Sequence, residues 1–312
     1  VQPNTVIVLH NGSPVEMPWV NEVSAIVEVY LGGQGVGEAT VNVLYGEVNP
    51  SGKLAETFPI HLEDNPSYLN FPGYLDTVDY REGVYVGYRY YDSKKQDVLF
   101  PFGHGLSYTT FEYSNLHFSS EAIKDTDTLD VYVDVTNTGT RAGKEVVQLY
   151  VKDLTGVGLR PDKELKNFEK ISLLVGETKT VKMTLSKRSF AWFNEAIQDW
   201  YCASGAYEIL VGSSSRDIRL TKQLHLTSST IIPFVITPNT LVGDLLKIEA
   251  LKPYIQQFMA MNADGFEANE AISEEMIMAM IENFPLRAMR GFMGLSNEQL
   301  QNMMTQLNAA LA

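Results

Sequence analysis

Leu129, Val131, Val133 and Val135 alternate with Asp130, Asp134 and Thr136, and this period of two predicts a half-buried antiparallel strand. The alternation returns in VVQLYV, in TVKMTL, where Val181, Met183 and Leu185 share a face, and in AYEILVG, where Tyr207, Ile209 and Val211 do. Turn-forming stretches NTGTRAG, LVGE and ASG separate the runs, so residues 114–226 are predicted to form one all-β sandwich.

Upstream the rhythm is different. Short β-branched runs at 5–10 and 25–31 are each followed by helical spacing, the βαβ pattern of a parallel sheet. Trp19, Val20 and Val23 predict a buried face on a short helix, as do Ala39, Val43 and Leu44 on a second one that Gly46 would stop. A third strand is expected at LAETF, 54–58, reached through a reversal at NPSG. Such strands need parallel neighbours and helices on both sides, so residues 1–113 are expected to be the last part of a larger α/β domain. Between Pro59 and Pro101 the chain is rich in Tyr, Asp, Gly and Pro, which predicts an ordered aromatic loop region ending in a strand near VYVGYRYY. Aromatic loops of this kind line sugar sites or pack beneath a long excursion.

After a Ser, Thr and Pro linker at 227–239, residues 240–312 turn to Met, Leu, Glu and Gln at helical spacing. Thr240 is expected to cap LVGDLLKIEAL, Pro253 to kink or break it, Ser273 with Glu274 and Glu275 to open a second helix, and Ser296 with Gln299 to form a capping box for a third. Met276, Met280, Phe284, Met289, Met303 and Met304 would make a soft apolar core or docking face.

Composition then excludes some functions. A net charge of −14 over 312 residues opposes binding to phosphate backbones, so no nucleic-acid partner is expected. No apolar run reaches the roughly eighteen residues of a membrane span. The single Cys202 rules out an intrachain disulfide and, with no visible signal segment, leads to the expectation of a cytoplasmic protein. The glycine cluster LGGQGVGEATVNVLYG matches neither the dinucleotide fingerprint nor the P-loop, and Glu38 puts a carboxylate where a phosphate would need an unopposed helix end. His10, His61, His104, His117 and His225 are dispersed, so no metal or other cofactor is expected. Ser13 and Ser107 lack a nucleophile elbow and read as turn hydroxyls.

Three stretches carry a family likeness: NTVIVLHNGSPVEMPW, GEATVNVLYGEVNPSGKLAETFP and FPFGHGLSYTTFEY. With GYRYYD, ELKNFEKISL and YEILVGSSSRDIRL, they extend it over residues 1–226. The chain resembles the C-terminal portion of a glycoside hydrolase family 3 β-glucosidase, with the end of its α/β sandwich domain followed by a fibronectin type III-like domain and a small helical extension. That resemblance implies retaining hydrolysis of terminal, non-reducing β-linked glucose or xylose by two carboxyl groups about 5 to 5.5 Å apart. It also implies that the nucleophilic Asp lies in an N-terminal barrel and the acid/base Glu in a segment just before Thr5, so no catalytic residue is expected within this chain.

Asp199-Trp200 imitates the nucleophile motif but falls within the sandwich. Glu16, Glu28, Glu38 and Glu56 read as solvated surface or turn positions. Glu82 and Arg89 flank the aromatic stretch and are the candidates for approaching a sugar hydroxyl, a structural ion pair being the alternative. A β-glucoside or oligosaccharide in the complete enzyme and the missing barrel are the partners this reading implies. A non-catalytic carbohydrate-binding module remains open beside it, as does a structural partner that docks on a separately encoded barrel chain through the exposed edge of a truncated sheet, and so does a homo-oligomer.

Overall fold

The computed structural model describes residues 2, 4–232, 234–255, 276, 279 and 281–311. Two compact units are present, Val1–Thr230 and Ile231–Ala312. In the first, strands β1 (Val6–Leu9) and β2 (Ala25–Glu28) pair in parallel, Val6 opposite Ala25 and Leu9 opposite Glu28. The segment between them holds one 3-10 turn, Val20–Glu22, with no buried residue, so Trp19, Val20 and Val23 do not form the expected buried helical face. Helix α1 (Val36–Leu44) follows the glycine cluster, and Gly46 just beyond it takes φ +77°, the left-handed stop that favours glycine. The expected inner face of Ala39, Val43 and Leu44 is not buried; no residue of α1 is, because among the described residues the sheet beside it has two strands and offers no second layer.

Three further expectations give way to contacts made from outside the segment. Residues 54–58 form no strand; the Leu54 N–H donates to the His104 carbonyl and the Gly103 N–H to the Leu54 carbonyl, both at 2.8 Å, so this backbone is satisfied by a loop rather than a sheet. Nor does 49–52 make a turn: Asn49 Oδ1 accepts from the Ser107 hydroxyl at 2.9 Å and the Tyr108 N–H at 2.8 Å. The VYVGYRYY stretch runs into helix α2 (Tyr88–Lys94) and forms no strand. Gly87 enters it at φ +57° and Lys95 leaves it at φ +55°. Tyr88 and Tyr91, one helical turn apart, both pack inward, and this burial overrides the strand preference of tyrosine.

The sandwich is built as the alternation predicts. Strands β3 (Phe111–Phe118), β5 (Leu129–Asn137) and β8 (Thr178–Leu185) form one sheet in the order β3-β5-β8. Facing it, β4 (Ala122–Lys124), β6 (Gly143–Asp153), β7 (Glu164–Leu173), β11 (Gly205–Gly212) and β12 (Ile218–Thr227) run in the order β4-β12-β11-β6-β7. A short helix α3 (Lys187–Phe190) and the hairpin β9 (Trp192–Asn194) and β10 (Asp199–Tyr201) close one end. Leu129, Val131, Val133 and Val135 of β5 meet Val147, Leu149 and Val151 of β6 and Tyr207, Ile209 and Val211 of β11 in one continuous core. Each such aliphatic side chain contributes roughly 1.5–3 kcal/mol by leaving water.

Strand β6 departs from simple alternation, because Gln148 and Tyr150 on its other face are buried too. The Tyr150 hydroxyl donates to Gln148 Oε1 at 2.6 Å, while Gln148 Nε2 donates to the carbonyls of Gly103 at 3.1 Å and Ser213 at 2.6 Å. Gly103 holds φ +79°, and a Cβ there would lie 2.2 Å from Gln148 Oε1, so the site requires glycine. Tyr88 stacks on Phe102 at 4.6 Å and meets Tyr150 edge-on at 6.0 Å, completing a seam between the loop region and the sandwich. Nearby, Lys53 Nζ pairs with Glu145 at 3.0 Å and donates to the Gly105 carbonyl at 2.9 Å.

In the second unit, α4 (Val242–Leu246) is followed by a 3-10 turn, Glu249–Leu251. Thr240 does not cap α4; its hydroxyl accepts from the Thr237 N–H at 2.9 Å. The helix breaks ahead of Pro253, which lies near the start of the next helical segment, where its missing N–H costs little. Helix α5 (Leu286–Met293) ends at left-handed Gly294, and α6 (Asn297–Ala309) starts with the expected box: Ser296 Oγ accepts from Gln299 N–H at 3.1 Å and Gln299 Oε1 from Ser296 N–H at 2.8 Å. Val242, Leu245, Leu251, Leu286, Leu300 and Met304 share its core, with Phe284 and Met303 packed against it. Met276 is 60% exposed, whereas Ser273, Glu274, Glu275, Met280 and the Met289 side chain lie outside the described residues.

Replacing Gln148 by Leu strips partners from the Gly103 and Ser213 carbonyls and the Tyr150 hydroxyl, and is expected to cost roughly 3 kcal/mol or more. Exposed Lys144→Ala should stay within about 0.5 kcal/mol, and urea unfolding of both variants compares the two.

Candidate functional site

The structure puts Glu82 in a turn, where it lines a cleft, and Arg89 in α2. This cleft, about 510 Å3, is walled by Asn70, Arg81, Glu82, Tyr85, Tyr90 and Lys94 among others. The Tyr85 hydroxyl donates to the Arg160 carbonyl at 3.3 Å, and Lys94 Nζ donates to Tyr90 Oη at 2.7 Å, so both rings are held in place. Arg81 is engaged by Asp79 at 2.8 Å. Glu82 Oε2 is buried and has no hydrogen-bond partner among the described residues, an acceptor whose demand a ligand hydroxyl would meet. Two tyrosines beside a few convergent polar groups suit a polar organic ligand. The wall holds one carboxylate, however, and glycoside hydrolysis uses two.

Arg89 lies 3.8 Å from Glu164, in a cluster where Arg160 approaches the same carboxylate at 2.6 Å and Lys166 at 3.4 Å. Burial works against the Glu164 charge, but Lys166 and Arg160 prevail and hold its carboxyl below the ordinary range. Asp199 and Trp200 belong to the β9–β10 hairpin, with Trp200 under the Arg188 guanidinium at 3.2 Å from the ring centre. The loop aromatics Tyr74 and Tyr80 are 79% and 80% exposed, so they pack beneath nothing among the described residues.

A second cluster was not legible as a site. Glu28 and Glu56, read from the sequence as solvated, are half-buried and both lie near Tyr30, two residues past the end of β2. Glu28 Oε1 accepts from the Tyr30 N–H at 2.7 Å, while Glu28 Oε2 and Tyr30 Oη are buried without a well-directed hydrogen bond. Tyr30 itself sits at φ +48°, a conformation uncommon for a bulky side chain. Burial raises the Glu56 carboxyl above its ordinary value; Tyr30 opposes the rise and the Glu28 charge adds to it. The placement at the carboxyl end of a parallel strand, where open α/β sheets hold ligands, was the signal available in the sequence. Glu16 and Glu38 remain exposed, Glu38 in the first turn of α1 and Glu16 accepting from the Leu62 N–H at 2.6 Å. Among the described residues no three His, Cys, Asp or Glu side chains gather to hold a metal. No helix of the described residues is long and apolar enough to cross a membrane.

Comparison with known proteins decides the lineage. Residues 1–108 match the glycosyl hydrolase family 3 C-terminal domain, and residues 145–215 match the fibronectin type III-like domain. The chain carries the C-terminal region of a family 3 glycosyl hydrolase. Thermostable beta-glucosidase B of Acetivibrio thermocellus is 49% identical over 310 residues, 99% of this chain and 41% of that protein. The beta-glucosidase of Kluyveromyces marxianus, solved in complex with glucose, superposes with a TM-score of 0.68 at 45% identity over 72% of this chain and 27% of that one. A GH3 beta-glucosidase of Bifidobacterium adolescentis gives a TM-score of 0.72 at 38% identity, over 80% and 37%. The chain thus spans less than half the length of each of these relatives. Within the family 3 region, the 1–108 match contains both the Glu82 cleft and the Glu28–Tyr30–Glu56 cluster.

Because the folded Glu56 carboxyl holds its proton more tightly than in the unfolded chain, its ionisation costs stability above the folded pKa and nothing below the ordinary value of 4.5. Glu56→Gln should therefore raise the Tm at about pH 7 and leave it unchanged at about pH 4, as read by calorimetric melts.

Proposed function

We propose that this chain is the C-terminal part of a retaining β-glucosidase that releases terminal, non-reducing β-linked glucose or xylose. The observation that carries the reading is the 49% identity to a thermostable beta-glucosidase over 310 residues of this chain. Both catalytic carboxyl groups lie in this reading outside the chain, in the length of the relatives that it does not span, and the chain alone is inactive. Helix α1 without a buried residue, Leu69 at 91% exposed and Phe71 at 75% support a face that a further portion of the enzyme covers. We take 1–113, 114–226 and 240–312 as the domains, joined at 227–239.

The Glu82 cleft favours a narrower second role, holding part of a glucoside or oligosaccharide without cleaving it. Its unpartnered carboxylate oxygen and its two anchored tyrosines support that role.

A nitrophenyl β-glucoside assay compares this chain alone with the chain joined to a barrel portion from a relative. Turnover is expected in the joined form alone, and turnover by the isolated chain would sink the assignment of both carboxyl groups elsewhere. For the cleft, calorimetric titration with a glucose oligomer should show binding that Glu82→Gln weakens about tenfold, the loss of one charged hydrogen bond. Binding without turnover in either form would make the chain a carbohydrate-binding module.

A further inference from the structure

On the other side of α2 from Ser93 and Lys94, a separate cleft of about 360 Å3 is lined by Asp92, Lys95, Lys163, Ser215, Arg216 and Ile218. Its floor is built from buried polar groups rather than from mobile surface charge. The side chains of Asp92 and Lys163 are 4% and 10% exposed and lie 3.1 Å apart, Lys163 Nζ to Asp92 Oδ2. Arg216 Nε donates to Asp92 Oδ1 at 2.8 Å, and its Nη2 to the Gln96 carbonyl at 2.7 Å. Ser215 is 1% exposed, yet its Oγ has no hydrogen-bond partner among the described residues; Asp92 Oδ2 likewise receives no well-directed hydrogen bond.

These demands define a ligand. Three cations, Lys95, Lys163 and Arg216, line the cleft with one carboxylate, Asp92, which pairs with the last two, and Asp162 at 3.2 Å from Lys163 shares part of that charge. An anion is therefore favoured here, although the whole chain carries −14. Among the described residues nothing engages Arg216 Nη1 or the Lys95 ammonium, which leaves two cationic donors besides the Ser215 hydroxyl. Asp92 adds the selecting condition. Its Oδ2 repels an oxyanion that carries only lone pairs, but accepts a hydrogen bond from one that keeps an O–H.

We propose that this cleft binds inorganic hydrogen phosphate: Lys95, Arg216 and Ser215 donate to its oxygens, and its own O–H donates to Asp92. Sulfate, fully deprotonated at neutral pH, and phosphomonoesters, largely so, lack that donor. Asp92 and Lys95 come from α2 and the residue following it, whereas Lys163, Ser215 and Arg216 come from the sandwich and the loop between β11 and β12. Occupancy ties these parts together and stabilises the folded chain by mass action.

Calorimetric titration of the 312-residue chain at fixed ionic strength, using inorganic phosphate, sulfate and methyl phosphate in turn, tests this. Phosphate is expected to bind one to one and raise the Tm, with sulfate and the phosphomonoester each about tenfold weaker or more, the cost of one charged hydrogen bond replaced by repulsion. Lys95→Asn, which tolerates the left-handed backbone at φ +55°, should weaken phosphate about tenfold while leaving the ligand-free Tm in place. Ser215→Ala provides the second variant, expected to weaken phosphate binding several-fold without new charge. No saturable phosphate binding, equal affinity for sulfate, or phosphate affinity unchanged by both variants would overturn the proposal.

Discussion

Strand β6 is buried on both of its faces, and Gln148 is the group that makes this tolerable. On one side its neighbours Val147 and Leu149 enter the sandwich core. On the other, a polar side chain that is 3% exposed satisfies the carbonyls of buried Gly103 and half-buried Ser213. The amide does so for Gly103 and Ser213 at once, and Tyr150 in turn satisfies the amide oxygen. An apolar residue would leave three partners stranded, and any residue but glycine at 103 would collide with the amide. Gln148 thus ties the loop around Gly103 to the sandwich, beside the contacts that Tyr85, Tyr88 and Asp92 make with it.

The same seam fixes helix α2, and with it both clefts. Ser93 and Lys94 contribute to the Glu82 cleft; Asp92 opens onto the cationic one. The helix is anchored because Tyr88 accepts from the Leu165 N–H at 2.7 Å and stacks against Phe102. Its neighbours Arg160, Glu164 and Lys166 form a charge network in which desolvation is offset by close opposite charge, which gives geometric definition more than net stability. By contrast, β1, β2 and α1 carry little burial of their own, and it is there that Glu28 and Tyr30 retain unmet polar demand.

Much of this was legible in the sequence where one local pattern met one environment. The strands of the sandwich followed from period-two alternation, since a half-buried strand needs nothing else, and the Ser296–Gln299 box followed because a capping box is closed within a few residues. The family likeness was legible from NTVIVLHNGSPVEMPW and its companion stretches. Failure came where distant contacts decided the outcome. VYVGYRYY has the composition of a strand, but its second half, YRYY, opens a helix against the sandwich, LAETF spends its backbone hydrogen bonds on the loop around His104, and Thr240 turns back to Thr237.

What the sequence alone determined is the set of properties carried by short-range periodicity, turn chemistry and family motifs: an all-β sandwich, a helical end, and a lineage. Only the tertiary structure decided which polar groups lost their water. Glu56 acquired a raised proton affinity through burial beside Tyr30 and Glu28, Glu82 an unpartnered oxygen in a cleft, and Asp92 a cationic surround in which Lys163 and Arg216 come from far along the chain. Desolvation and charge proximity are set by three-dimensional distance, and a linear pattern fixes that distance only within a few residues of itself.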